Sequence, residues 1–338
     1  MKILGMGNAL VDILAKLPND ELLKELNVAK GSMNLIDSEM RRAVFAKLEG
    51  LDIKLTTGGS ISNTMLALKQ MDVPVGFIGK VGDDKYGKFY IEELQKSGVN
   101  LHLIYEKAFS GTATAMITPD GERTFCTYLG AAAGMRDVDL QTDVFVQYSH
   151  LYVEGYLVQN HALIETAMQM AKSSGLEVAL DLASFNVVEG DREFIQKLID
   201  NYVDILFANE DEAKALTRKA PNEAIHEIAD KVSTVIIKEG PRGSYVKSKG
   251  ILIHEPVRED IKPLDTTAAG DYYAAGFFYG MVRGADMQQC ARLGTLLAHY
   301  IIQVVGTKLP QETWGEIREK AKEILSLWDS NIVPDNSL

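Results

Sequence analysis

A run of small residues that opens a helix, with a carboxylate in its first turn, can receive negative charge and remove a proton. Asp265-Thr266-Thr267-Ala268-Ala269-Gly270-Asp271 has that composition, and the apolar segment Tyr272–Phe278 follows at once. The first N–H groups of a helix lack internal acceptors and lie at the positive end of its dipole, so they attract anions. A carboxylate at Asp271 could take a proton from a hydroxyl while those N–H groups neutralise a transferring phosphoryl group. It could equally do no more than cap the helix.

Gly58-Gly59-Ser60-Ile61-Ser62-Asn63-Thr64 opens a second helix, carrying Met65, Leu66, Leu68 and Met71. Paired glycines let a ligand approach the backbone closely, and the Asn63 amide both donates and accepts, as a pair of sugar hydroxyls requires. A flexible loop with a Ser cap has the same composition. Gly5-Met6-Gly7-Asn8-Ala9-Leu10-Val11-Asp12 follows a first short strand. Its GxG suggests a dinucleotide site and hence a dehydrogenase, but Leu10 stands where the third glycine belongs, and no acidic residue ends a second strand at the right distance. Asp12 is expected just past the carboxyl end of that strand, where it can accept from a vicinal diol or simply be solvated.

Asn209-Glu210-Asp211-Glu212 follows a further strand. Acids there can hold Mg²⁺ through water or form a cap with a favourable first-turn charge. Lys238-Glu239-Gly240-Pro241-Arg242-Gly243 also follows a strand, as a nucleotide-side turn or an ordinary hairpin. GxxxxGK[ST] is absent, which excludes P-loop chemistry.

The elements that would carry these residues alternate. Val75–Gly79, His150–Gly155, Glu177–Leu182, Asp204–Ala208 and Thr234–Lys238 are apolar runs. Between them lie helical patterns at Asp84–Ser97, Ala162–Lys172, Arg192–Tyr202, Glu210–Thr217 and Asn222–Val232. Such alternation predicts an α/β fold, a doubly wound and mostly parallel sheet with helices on both faces, whose ligands sit beyond the carboxyl ends of the strands. Residues 12–36 and 101–129 have mixed polarity and predict a β-rich lid inserted into a core of residues 1–11, 37–100 and 130–338. Within the lid, Pro119-Asp120-Gly121 reads as a hairpin turn.

The 338 residues are 46% hydrophobic and 24% charged, which excludes disorder as the main state. A net charge of −12 without a Lys/Arg run argues against gripping nucleic acid or anionic lipid. Two cysteines, Cys126 and Cys290, give no disulfide framework and fit a reducing cytoplasm. The longest apolar stretch, 293–306, contains His299 and Gln303 and is too short to span a bilayer.

Taken in order, these motifs resemble the ribokinase-like (PfkB) family of carbohydrate and nucleoside kinases over roughly residues 2–310. The signatures are Gly-Gly-Ser-x-x-Asn at 58–63 and Asp-Thr-x-x-Ala-Gly-Asp at 265–271, with Gly79-Lys80-Val81-Gly82-Asp83-Asp84-x-x-Gly87 and Asn209-x-x-Glu212 between them. Residues 7–13 and 202–210 are most similar to the adenosine kinase-like branch. The resemblance implies an ATP-dependent kinase acting on a primary hydroxyl of a sugar or ribonucleoside, with Mg²⁺. It implies that Asp271 is the base and that the N–H groups of Ala268, Ala269, Gly270 and Asp271 form an anion hole. Asn8, Asp12, Gly58, Gly59 and Asn63 would bind the sugar, and Arg123 in the lid would close on phosphates or substrate. Asn209, Lys238, Gly240 and Gly243 would lie on the ATP side, with Glu212 holding the metal through water. The family also admits a monovalent cation beside Asp265 and Thr267, and pairing of two chains through the lid. Leu10, Met33, Phe125 and Tyr128 are candidate walls for a nucleobase. The motif usually has Gly where this chain has Ala268; with Asp265, Gly270 and Asp271 retained, a negative φ is expected there. A binding protein that kept this fold without catalysis is the alternative, and an Asp271→Asn change separates the two.

Overall fold

In the computed structural model, residues 1–257 and 261–326 are described; the parts of the expected core at 258–260 and 327–338 lie outside them. In chain order the strands are β1 (Ile3–Met6), β2 (Leu10–Lys16), β3 (Met33–Leu35), β4 (Ile53–Gly58), β5 (Val75–Gly82), β6 (Asn100–Glu106) and β7 (Gly111–Ile117). They continue as β8 (Arg123–Tyr128), β9 (His150–Glu154), β10 (Glu177–Asp181), β11 (Ile205–Asn209), β12 (Thr234–Lys238), β13 (Ser244–Ser248) and β14 (Ile251–Glu255). Nine of them form one sheet in the order β14-β13-β12-β11-β10-β9-β1-β5-β6, and five form a second in the order β3-β8-β7-β2-β4. The large sheet is parallel from β12 through β6, with β13 and β14 added antiparallel at one edge.

The apolar runs are continuous because both faces of the sheet are covered. Successive residues point to opposite faces. Ile3, Phe77, Tyr152, Phe207 and Ile236 belong to one buried cluster, whereas their neighbours Leu4, Ile78, Val153, Leu206 and Ile237 belong to another. Each such side chain contributes about 1.5–3 kcal/mol on full burial.

The helices that matter for the site are α1 (Ser60–Gln70), α2 (Phe185–Asn201), α3 (Glu210–Thr217) and α4 (Ala269–Val282). Helix α4 is apolar nearly all round and is wedged between α1 and the helix at Met287–Ile301. A Cβ on Gly276 would lie 2.1 Å from the Leu293 carbonyl oxygen, so the close approach of those two helices fixes where the start of α4 points.

The small sheet is itself two-sided. Val11, Ile13, Ala15, Met116 and Cys126 are buried on its outer face, in the same cluster as Val44 and Leu48 of the Ser38–Leu48 helix and Tyr86, Tyr90 and Leu94 of the Lys85–Lys96 helix. The other face carries Leu10, Asp12, Leu14, Arg123 and Phe125. The predicted hairpin forms as β7 and β8, joined across Pro119-Asp120-Gly121.

Several elements differ from the sequence expectation. Residues 101–106, expected in the lid, belong to Asn100–Glu106, which pairs parallel with β5 as the edge of the large sheet; its mixed polarity is that of a half-exposed edge strand. Ile53–Gly58, expected in the core, pairs antiparallel with β2 in the small sheet. Asp12 does not lie just past β1 but inside β2. Helix α2 begins at Phe185 rather than Arg192; a break at Asp191 (φ −125°, ψ 26°) divides it, and only the part beyond the break has the expected stripe.

Candidate active site

Asp271 lies in the first turn of α4 and meets α1 across the cleft. Its Oδ1 accepts from Ser60 Oγ at 2.6 Å and its Oδ2 from Asn63 Nδ2 at 2.9 Å, while Thr64 Oγ1 donates to its backbone carbonyl at 3.0 Å. Burial pushes the Asp271 carboxyl up to about 6; the Ser60 and Asn63 hydrogen bonds pull against it. Among the described residues Asn63 Oδ1 is buried without a hydrogen-bond partner, so one acceptor beside Asp271 is left for a hydroxyl donor.

The two motif glycines are required by their neighbours. A Cβ on Gly58 would lie 2.0 Å from Asp12 Oδ1, and Gly59 has φ +91° with its Cβ direction 2.3 Å from the Asn8 carbonyl oxygen. Asp12 and Asn8 are thereby packed against the start of α1. Burial, and then the charge of Asp271, raise the Asp12 carboxyl to about 7, against a weak contact with Thr307 Oγ1 at 3.5 Å. Asn8 is held by Glu154, whose Oε1 accepts from Asn8 N at 2.8 Å and Nδ2 at 2.6 Å. Burial raises Glu154 to about 7 as well, and among the described residues its Oε2 has no hydrogen-bond partner.

Ala268 departs from expectation. Its φ is +62° with ψ 7°, in the left-handed region, not negative. A residue with a Cβ is strained there by about 1–2 kcal/mol. The bend is needed because it turns the chain from the Asp265 loop into α4. The N–H of Ala269, expected in the anion hole, instead donates to the Thr266 carbonyl at 3.1 Å. Among the described residues, those of Ala268, Gly270 and Asp271 have no acceptor and remain free for an anion. Gly270 lies next to a cation, since a Cβ there would sit 3.2 Å from Lys238 Nζ.

Lys238, at the end of β12, donates to Asp181 Oδ2 at 3.2 Å. Burial lowers its ammonium, but Asp181, Glu212 and Asp271 together hold it above its ordinary value. Asn209 and Glu212 form a reciprocal cap on α3. Glu212 N donates to Asn209 Oδ1 at 2.9 Å, and the Glu212 carboxylate accepts from Asn209 N and Nδ2, both at 2.8 Å. Burial and then Asp181 raise Glu212 to about 7. Gly240 and Gly243 form the turn from β12 to β13, with Gly243 pressed by the Glu255 carbonyl.

Arg123 reaches from the lid to the Asp265 carboxylate, where the two form an ion pair with little exposed surface. Asp265 Oδ2 also accepts from Gly306 N at 2.7 Å, and Oδ1 from Thr267 N at 3.0 Å. Both oxygens are therefore engaged, and an arginine stands beside them. This does not fit a monovalent cation at Asp265. Among the described residues no group of three or more His, Cys, Asp or Glu forms a cage. The carboxylates of Asp181 and Glu212 beside Lys238 also have both oxygens engaged by protein donors, so a hydrated Mg²⁺ could meet them only through its waters.

Asp181 and Glu154 carried no motif in the sequence. Both are the last residues of their strands, β10 and β9, which is where ligands of a parallel sheet gather. Tyr128, a candidate base wall, faces away: it lies on the outer side of the small sheet, with the Arg41 guanidinium 5.3 Å from its ring.

A mostly parallel sheet roofed by a β lid, with a carboxylate at a helix N-terminus and free N–H groups beside it, is the architecture of a small-molecule kinase. The pfkB family carbohydrate kinase model matches residues 24–314, and the chain belongs to that family. It is an ATP-dependent carbohydrate or nucleoside kinase of the adenosine kinase-like branch. Adenosine kinase 2 of Arabidopsis thaliana is 25% identical over 334 residues, covering 92% of this chain and 96% of that protein. The adenosine kinase from Sinorhizobium meliloti superposes with a TM-score of 0.83 at 29% identity, covering 95% of this chain and 98% of the other. A probable sugar kinase from Rhizobium etli superposes with a TM-score of 0.84 at 28% identity and the same coverage. Among the described residues no helix is long and apolar enough to cross a membrane.

Proposed function

We propose that this enzyme transfers the γ-phosphoryl group of ATP to the primary hydroxyl of a ribonucleoside, with adenosine as the first substrate to test. The observation that carries the chemistry is Asp271, a desolvated carboxylate raised to about 6 and aimed by Ser60 and Asn63. A base with a value just below neutrality is ionised when it must accept a proton and is still basic enough to do so.

In the proposed reaction, Asp12 and Asn63 Oδ1 accept hydrogen bonds from ribose hydroxyls and hold the primary hydroxyl toward Asp271. Asp271 removes its proton as the oxygen bonds to the γ-phosphorus and the bond to the ADP oxygen breaks. The N–H groups of Ala268, Gly270 and Asp271 and the Lys238 ammonium neutralise the charge on the transferring group. Mg²⁺, held through water by Glu212 and Asp181, would supply further charge neutralisation on the phosphates. Arg123 fastens the lid to the Asp265 loop, which excludes water from the cleft.

The lid supports a nucleoside over a bare sugar. Strand register places Leu10, Leu14, Phe125, Met33 and Leu35 on the same face as Asp12 and Arg123. Met33 and Leu35 are 69% and 64% exposed there, an apolar surface beside a sugar site that a flat base would cover. The test is ADP release from ATP·Mg²⁺ with adenosine, inosine, cytidine, ribose, fructose and 2-keto-3-deoxygluconate. Turnover with adenosine supports the proposal, and turnover confined to a sugar refutes the base-binding role of the lid.

A further inference from the structure

We infer that the groove between α2 and α3 is a second nucleotide-binding site, separate from the catalytic cleft. The groove has a volume of about 640 Å³, within the range of small-molecule sites. Side chains of two helices line it. Phe185, Glu189 and Arg192 come from α2; Asp211, Lys214 and Arg218 come from α3 and its C-terminal cap. Phe185 and Glu189 share one side of the first part of α2, Arg192 follows the break at Asp191, and Asp211 and Lys214 share one side of α3.

The chemistry of these six side chains is that of a nucleotide receptor. Among the described residues, Arg192, Lys214 and Arg218 have no ion-pair partner within 4.0 Å. On a chain of net charge −12, three cations that are unpaired and gathered round one groove leave their charge available to an anion. Two guanidinium groups and an ammonium suit phosphate oxygens. Phe185 is 45% exposed at the wall and offers a ring on which a base can stack. The Glu189 and Asp211 carboxylates can accept from a ribose diol or an exocyclic amine. A simple anion would use the cations and leave the ring and the carboxylates unused.

Arg218 reaches the groove because it caps α3 in the left-handed conformation, φ +61°, with its N–H donating to the Lys214 carbonyl at 2.7 Å. Phe185 is delivered by the turn after β10. There Asp181 Oδ1 accepts from Ala183 N at 2.9 Å while its other oxygen accepts from Lys238. The groove thus shares two short segments with the catalytic cleft but none of the side chains that face its phosphate path.

The test is calorimetric titration of the whole protein with ADP in the presence of Mg²⁺, alongside the double variant Arg192→Ala/Lys214→Ala and the single variant Phe185→Ala. These positions lie at the surface, and adenosine-dependent ADP release by each variant reports separately on the catalytic cleft. Two equivalents of ADP on the native protein, one on the double variant, and a second equivalent weakened about fivefold or more by Phe185→Ala are expected. A single equivalent on the native protein overturns the inference, as does a second equivalent that survives the double variant. Pyrophosphate that replaces the second equivalent as well as ADP does, with Phe185→Ala without effect, would make the groove a phosphate site and overturn the nucleotide assignment. Turnover with only one ADP bound would leave the kinase reading standing while this one fails.

Discussion

Ala268→Gly separates backbone strain from chain entropy at the turn into α4. With φ at +62°, the Cβ of Ala268 faces the carbonyl clash that makes the left-handed region costly for L-residues, about 1–2 kcal/mol. Glycine removes that strain but gains freedom in the unfolded chain, a cost of about 0.5–1 kcal/mol. The two should leave Ala268→Gly more stable by roughly 0.5–1 kcal/mol. Ala46, exposed within the Ser38–Leu48 helix, is the control: there the same substitution has only the entropy cost and should destabilise by about 1 kcal/mol. The unfolded-state change is the same in both, so the difference between the variants, about 1–2 kcal/mol, isolates the strain. Guanidinium unfolding midpoints of the three proteins measure it. Turnover should persist in Ala268→Gly, because glycine adopts this φ readily and the N–H groups of Gly270 and Asp271 keep their directions. Equal destabilisation by the two changes would refute the reasoning, since it would mean that Ala268 is not strained.

Other consequences follow from the same geometry. Asp271 at about 6 must be ionised to accept a proton and Asp12 at about 7 to accept two hydroxyl hydrogen bonds, so kcat/KM should rise with pH through 6–7 and level above it; a flat profile between pH 5 and 8 would contradict their roles. Stability has the opposite sign. Folded values above the ordinary 3.8 mean that the native state binds more protons, so these two groups make the fold less stable as pH rises from about 4 to about 7, which unfolding midpoints across that range would show. Arg123→Ala leaves the buried Asp265 carboxylate without its partner and should cost about 3 kcal/mol. Because Arg123 stands at Asp265, turnover should be the same in potassium and in tetramethylammonium salts, and a strict potassium requirement would show that reading wrong. Gly59→Ala meets the Asn8 carbonyl at a φ of +91°; it should lower stability by more than about 2 kcal/mol and raise the KM for the nucleoside more than that for ATP.

Much of the fold was legible because the central strands are buried on both faces. Thr234–Lys238 and Glu210–Thr217 have the expected bounds, since an uninterrupted apolar run and an Asn cap leave little choice. The lid was harder. Ile53–Gly58 alternates weakly and runs straight into the glycine motif, so only its pairing with β2 reveals that it belongs there. Asn100–Glu106 has the mixed polarity of a lid strand because it is the outermost strand of the large sheet.

At the site, motif residues came together where side chains define the motif. Asp271 and Asn63 touch across the cleft, and Lys238 meets Gly270. Composition says nothing about φ, so Ala268 was misjudged from the residues around it. Arg123 was expected to meet phosphate or substrate, but no local pattern could show that its partner is Asp265, far along the chain. Asp181 and Glu154 belong to no motif; only their position as the last residues of parallel strands marks them.

The central claim is that Asp271 removes the proton from a nucleoside hydroxyl. Adenosine-dependent ADP release by native enzyme and by Asp271→Asn tests it most directly. The amide keeps the size and can still meet Ser60 and Asn63 but cannot act as a base, so kcat should fall about 10²–10⁴-fold with the KM for adenosine little changed. An Asp271→Asn enzyme that turns over adenosine within tenfold of the native rate would contradict the account.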